Sequence, residues 1–139
     1  MFKLEFEVEG LPKMTNSFKR SHWIHTHKER TKWKKLVRHA VENQIKPAQP
    51  LNSAVLTLVR VSSAEPDFDG LVSGFKPVVD GLVECGVLAT DKVSCVGQPA
   101  YRWEKGKKGQ GKIKVKVESM AEDQHEPYLT EKLKLEAGK

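Results

Sequence analysis

Cysteine is scarce in this chain, which holds two, Cys85 and Cys95, among 139 residues. They form no C-x-x-C pair, so no disulfide framework is indicated, and isolated thiols fit a reducing cytosol. Long apolar runs are missing as well. The opening "MFKLEFEVEG" alternates instead of running apolar, unlike a signal peptide, and no stretch is long enough to span a membrane. The expectation is a cytoplasmic protein with no membrane partner. Acid is in deficit, with 18 Asp and Glu against 24 Lys and Arg. The resulting net charge of +6 and pI of about 9.3 suggest a polyanionic partner such as nucleic acid.

What is present is an ordinary globular composition, 38% hydrophobic and 30% charged, in a length that suits one domain. A chain of this size buries about 68–70% of its unfolded surface, enough for a core. Phe2, Leu4, Phe6 and Val8 alternate with Lys3, Glu5, Glu7 and Glu9, the period of a half-buried strand. After a loop, "THKERTKWKKLVRHAVENQI" places Trp33, Leu36, Val37, Ala40, Val41 and Ile45 on one helical stripe. Thr26 and Glu29 have the spacing of a capping box, and Pro47 and Pro50 lie past the end. "AVLTLVRVS" (54–62) is apolar on both faces, as a central strand would be. Residues 69–85 carry a second helical stripe that Pro77 should kink or locally loosen. Strands are expected near 93–104 and at 112–118, joined by the turn-forming "KGKKGQG". In the last strand Ile113, Val115 and Val117 face in, and Lys112, Lys114 and Lys116 form an outward row. The order β-α-β-α-β-β defines an α+β single domain over 1–120, a small mixed sheet packed with two helices. A polar tail follows over 121–139, with room for a short helix in "YLTEKLKLEAG".

Charge is segregated along this order. Residues 13–46 and 92–116 are strongly basic, whereas residues 64–91 hold Glu65, Asp67, Asp69, Asp80, Glu84 and Asp91 against Lys76 alone. Basic flanks position phosphates, and clustered carboxylates would repel those phosphates unless a cation lay between. Hard oxygen ligands of this kind suit Mg²⁺ or Mn²⁺. Asp67 and Asp69 are two apart, so in extended chain both point the same way and can reach one ion. The competing reading is that one of them caps the helix that follows. Lys76 and Asp80, four apart, equally read as a surface ion pair.

From Glu65 to Val93, "EPDFDGLVSGFKPVVDGLVECGVLATDKV" resembles the RusA-type Holliday junction resolvases, endodeoxyribonucleases common in prophages. Their pattern runs D-x-D-N, a helix with a lysine and D-[AG]-L, then a glycine, an aliphatic run and D-D. Asp67 and Asp69 match the first pair, "KPVVDGL" matches the helix through Lys76, Asp80 and Leu82, and "GVLATD" leads to Asp91. "GLPKMTNSF" is similar to the family's proline-containing loop and places Asn16 at its end. Gly70 stands where the family usually has asparagine, and Thr90 where it has the first late aspartate. Lys76 lies seven after Asp69, where the commoner spacing of four would fall on Ser73.

The resemblance implies a RusA-like fold and a Mg²⁺-dependent nuclease of bacterial or prophage origin. It would act as a homodimer that nicks four-way junction DNA at paired positions, with Mn²⁺ as a substitute ion. Asp67, Asp69 and Asp91 would hold the metal, and Lys76 would join them in catalysis. Asn16, Lys19, Arg20, Lys28, Arg30, Lys32, Lys105, Lys107 and Lys108 would contact DNA. Two other readings stand beside it: a non-catalytic nucleic-acid binder whose degenerate site Gly70 and Thr90 mark, and a metal nuclease acting on flaps or RNA. Trp33 is expected in the core. Trp23 and Trp103, beside basic residues, are candidate stacking platforms.

Overall fold

The computed structural model describes residues 2–14 and 22–120, and of residues 22–26 the backbone alone. Asn16, Lys19, Arg20, the side chain of Trp23 and the tail from 121 lie outside the described residues. In chain order the elements are β1 (Lys3–Glu9), α1 (His22–Glu42), β2 (Ala54–Ser62), α2 (Phe68–Gly74), α3 (Lys76–Glu84), α4 (Val93–Val96), β3 (Ala100–Lys105) and β4 (Lys112–Ser119). They form a small α+β fold around one four-stranded mixed sheet of order β1-β4-β2-β3. β4 lies antiparallel between β1 and β2, and β3 runs parallel to β2 at the far edge.

Alternation dictates the two faces. Leu4, Phe6 and Val8 of β1 pair with Val117, Val115 and Ile113 of β4, and all six are buried. On the opposite face Lys3, Glu5, Glu7 and Glu9 stand across from Glu118, Lys116, Lys114 and Lys112. Opposite charges directly across strands contribute a few tenths of a kcal/mol each, about 0.2–1. β2 is apolar on both faces, with Leu56 and Leu58 in the core and Val59 and Val61 buried on the charged face.

Helices cover the apolar face. Trp33, Val37 and Val41 of α1 are fully buried, as the stripe requires. α1 packs on α3 at Gly81, where an added Cβ would lie 3.0 Å from Val37 Cβ and 3.3 Å from the Lys34 backbone. A glycine is thus what lets the two helices approach.

Four expectations need correction. First, α1 begins at His22, upstream of the expected capping box. Glu29 lies inside the helix, and its carboxylate accepts the Lys13 backbone N–H at 2.6 Å and the Trp33 indole N–H at 3.0 Å. A buried indole N–H needs an acceptor, and Glu29 supplies it one turn earlier. Second, Ile45 falls beyond the helix end and is 87% exposed. Third, residues 69–85 form two helices, not one kinked helix. Phe75 is 1% exposed and sits between them, and Pro77 falls in the first turn of α3, where a missing N–H costs nothing. Fourth, the strand expected near 93–104 opens as the one-turn α4, and only Ala100–Lys105 is strand. Among the described residues four helices therefore stand where two were expected.

The link from β3 to β4 must carry the chain past the end of β2, because β2 separates the two strands. Gly106 makes that passage, donating its N–H to Ser62 O at 2.9 Å, and an added Cβ there would lie 2.7 Å from Val61 Cγ1. Gly106→Ala should therefore destabilise by about 1–3 kcal/mol, the range for overpacking. Urea denaturation should show a smaller penalty when Val61→Ala makes room. Equal penalties in both backgrounds would refute the contact.

Candidate functional site

A cleft of about 540 Å³ opens where α1, α2, α3, α4 and β3 meet. Apolar side chains including Val72, Val79, Val96 and Tyr101 line it, and Lys13, Glu29, Arg30, Lys76 and Asp91 add charge. A volume of this order lies within the roughly 300–1,000 Å³ typical of ligand pockets.

Its polar centre is Lys76. The ammonium donates to Asp80 Oδ1 at 2.9 Å, the i,i+4 pair expected of a helix, and also to Asp91 Oδ2, 15 residues further on. Asp80 in turn lies 3.9 Å from Arg30 Nε, so its carboxylate joins α3 to α1. Partial burial pulls the Lys76 ammonium down, but the hydrogen bonds and attraction from Asp91 and Asp80 outweigh it and hold the group above its ordinary 10.5. The Lys76 hydrogen bond holds the Asp91 carboxyl below its ordinary 3.8. Lys76 and Asp91 are 52% and 36% exposed, so solvent screens the pair and its contribution to stability is small. Burial pushes the Tyr101 hydroxyl up, against the pull of Lys76.

The two early aspartates take a different part. Asp67 is the N-cap of α2: its backbone is extended, and Oδ1 accepts the Gly70 N–H at 3.0 Å. Asp69 is already helical, in the first turn, so the extended geometry that would aim both carboxylates one way stops at Asp67. Gly70 is buried here. An added Cβ would lie 2.5 Å from Asp67 Oδ1 and 2.7 Å from Met14 Sδ, so a larger residue would press on the cap and on the loop lying over α2. That loop is fixed from the sheet side by Arg60, whose Nη1 donates to Pro12 O at 2.9 Å.

The structure thus brings Lys76, Asp80, Asp91 and Arg30 together and sets Asp67 and Asp69 at the start of α2, outside the cleft lining. Among the described residues no group of three or more His, Cys, Asp or Glu side chains converges. Lys28, Arg30 and Lys32 are exposed on α1, and the Lys32 Nζ lies 6.0 Å from the Trp33 ring centroid. Lys105 ends β3, and Lys107 and Lys108 lie in the turn that crosses the end of β2. The Asp67 loop leaves that same end of β2. Trp103 is half-buried, with its indole N–H donated to Ser62. Among the described residues no helix is long and apolar enough to cross a membrane.

Two residues were missed in the sequence. Tyr101 lay inside a strand whose start was set too early, so its facing could not be assigned. Phe68 is 67% exposed and meets Tyr101 edge to face, with centroids 6.4 Å apart and planes at 87°. Its position between two aspartates was the available signal, since an apolar ring there has little to pack against. Comparison with known protein families and with curated proteins finds no match for this chain.

Two predictions follow from this geometry. As a cap, Asp67→Ala should cost about 1 kcal/mol in thermal unfolding, whereas Asp67→Asn, which keeps an acceptor, should cost under about half of that; equal losses would deny the capping role. The second concerns pH. The Asp91 contribution is present above the unfolded carboxyl value and lost as pH falls through its lower folded value. The Lys76 contribution is present below its unfolded value and lost as pH rises through the higher folded one. Carboxyl ¹³C NMR of metal-free protein should give an Asp91 midpoint below 3.8, rising in Lys76→Gln. A wild-type midpoint at or above 3.8 would contradict the bridge.

Proposed function

We propose that this protein is a Mg²⁺-dependent endodeoxyribonuclease of the RusA type that resolves four-way DNA junctions, acting in the cytoplasm as a two-fold dimer. The observation that carries the reading is the meeting of Lys76 with Asp91 at the cleft, across 15 residues of chain. The resemblance assigns the helix lysine and the late aspartate to one site, and a straight surface helix would give no reason for that contact. Lys105, Lys107 and Lys108, in the link that crosses the end of β2 from which the Asp67 loop departs, add positive charge suited to a phosphate backbone.

The donors fit the ion in chemistry. Asp67, Asp69 and Asp91 offer the hard carboxylate oxygens that Mg²⁺ and Mn²⁺ prefer, and these three would hold it. Bound there, the metal would lower the pKa of a coordinated water and polarise the phosphate. Lys76 supplies a fixed positive charge beside a phosphate whose negative charge grows in the transition state. A two-fold dimer places two such sites symmetrically, which suits the approximate symmetry of a four-way junction and leads to paired nicks.

A second reading has its own support. No trio of carboxylates converges among the described residues, Asp67 is engaged as a cap, and Lys76 already neutralises Asp91. A protein that binds branched DNA without cutting it would look the same. The deciding assay is a synthetic four-way junction with Mg²⁺, run beside linear duplex, a flap, an RNA duplex and an EDTA control. Symmetric nicks, lost in EDTA and in Asp91→Asn while binding persists, are the expected result. Tight binding with no cutting in Mg²⁺ or Mn²⁺ would overturn it in favour of the binder, and faster cleavage of the flap or RNA would reassign the substrate.

A further inference from the structure

Phe68 and Val93 are 67% and 75% exposed, large apolar side chains left in water beside the polar centre of the cleft. Val93 lines the cleft directly, and Phe68 stands against Tyr101, which lines it too. Behind them Tyr101 is braced by buried Phe75, with ring centroids 6.2 Å apart. The Phe68 ring is thus held from one side by a rigid aromatic pair while most of its surface faces solvent. Exposed apolar groups gathered at the mouth of a cleft mark a binding surface, since scattered positions would bring no advantage.

The charges around this mouth narrow the choice of occupant. Both carboxylates that line the cleft are engaged: Glu29 by the Lys13 N–H and the Trp33 indole, Asp91 by Lys76. Lys13 and Arg30 line the same cleft, the Arg30 side chain being 47% exposed. An occupant with a flat apolar face and an attached anion matches both halves.

We propose that this mouth receives an unstacked DNA base, stacked on Phe68 with Tyr101 behind it, while Lys13 and Arg30 hold the adjoining phosphate. The proposal deepens the junction-resolving reading and rests on it for the choice of DNA, because branch points and single strands offer bases free of their neighbours. Stacking on an aromatic ring is tolerant of sequence, since every base has a π-face. The site would therefore select open structure, not a particular base.

Fluorescence anisotropy in EDTA tests this without any cleavage. The probes are a labelled thymidine dodecamer and an abasic dodecamer, which keeps every phosphate but lacks the bases. Wild type should bind the thymidine strand at least about tenfold more tightly than the abasic one. Phe68→Ala should remove that preference and leave abasic binding unchanged, and Phe68→Trp should retain it. Because Phe68 is exposed, its truncation leaves the core intact, and Ile45→Ala, at a strongly exposed apolar position outside the cleft lining, serves as a control that should change nothing. Equal binding of the two strands by wild type, no binding of either, or a preference that survives Phe68→Ala would overturn the proposal. Junctions cut normally by a protein with no base preference would sink this inference and leave the nuclease reading standing. A base preference without any cutting would do the reverse.

Discussion

The cleft depends on one buried ring. Phe75 is 1% exposed and ends α2 and begins α3 within a single residue, its backbone N–H bonded back to the Val72 carbonyl. Had the helix run straight from residue 69 to 85, Lys76 would lie two turns along nearly the same face as Asp69, since seven residues make almost two full turns. The break at Phe75 re-aims α3 so that Lys76 meets Asp91 and Asp80 meets Arg30. Burying a phenyl ring stabilises by about 1.5–3 kcal/mol, far more than a screened surface bridge, so packing at Phe75 sets the position of the charges and not the reverse.

That ordering of energies explains what could be read from the sequence. Strands announce themselves by alternation, and β1, β2 and β4 stand where alternation or a two-sided apolar run put them, with Ile113, Val115 and Val117 inward. The Trp33, Val37 and Val41 stripe was equally plain. What failed was punctuation. Pro77 signals an irregularity in a helix, but the same residue suits a first turn, and only the burial of Phe75 decides between a kink and a new start. Val93–Val96 is β-prone by composition, yet Cys95 and Val96 are buried as one helical turn, with Cys95 Sγ 3.2 Å from Leu51 O. Local propensity was overruled by a tertiary contact there. Glu29 is the same lesson in reverse: its spacing from Thr26 imitated a cap, while its partner, Trp33, lay one turn ahead.

Of the candidate site, the resemblance named both Lys76 and Asp91 but not the ion pair between them, whereas the i,i+4 partner Asp80 came through helix geometry. The alternative role of Asp67 was also legible, because Asp before a helical run is a preferred cap. Gly70 was not. Its place as a departure from the family pattern concealed a local reason, the contact of that position with the Asp67 carboxylate and Met14, which no spacing rule reveals. Arg30 and Asp80 are fifty residues apart in sequence, and only the close crossing of α1 and α3 at Gly81 brings them within reach of one another.

The position of β4 has a bearing on how such a chain assembles. β4 supplies every antiparallel pairing in the sheet, so β1 and β2 have no contact with each other until residues 112–119 arrive between them. The hydrogen bond from Phe2 to Ser119 joins positions 117 apart. Closing loops of that length costs entropy before any contact repays it, and topologies dominated by distant pairings fold slowly. On a ribosome the helices could form and begin to pack early, but the apolar edges of β1 and β2 would wait for nearly the whole described chain to emerge. The sheet is a structure completed from its far end, with the strand made last serving as its keystone.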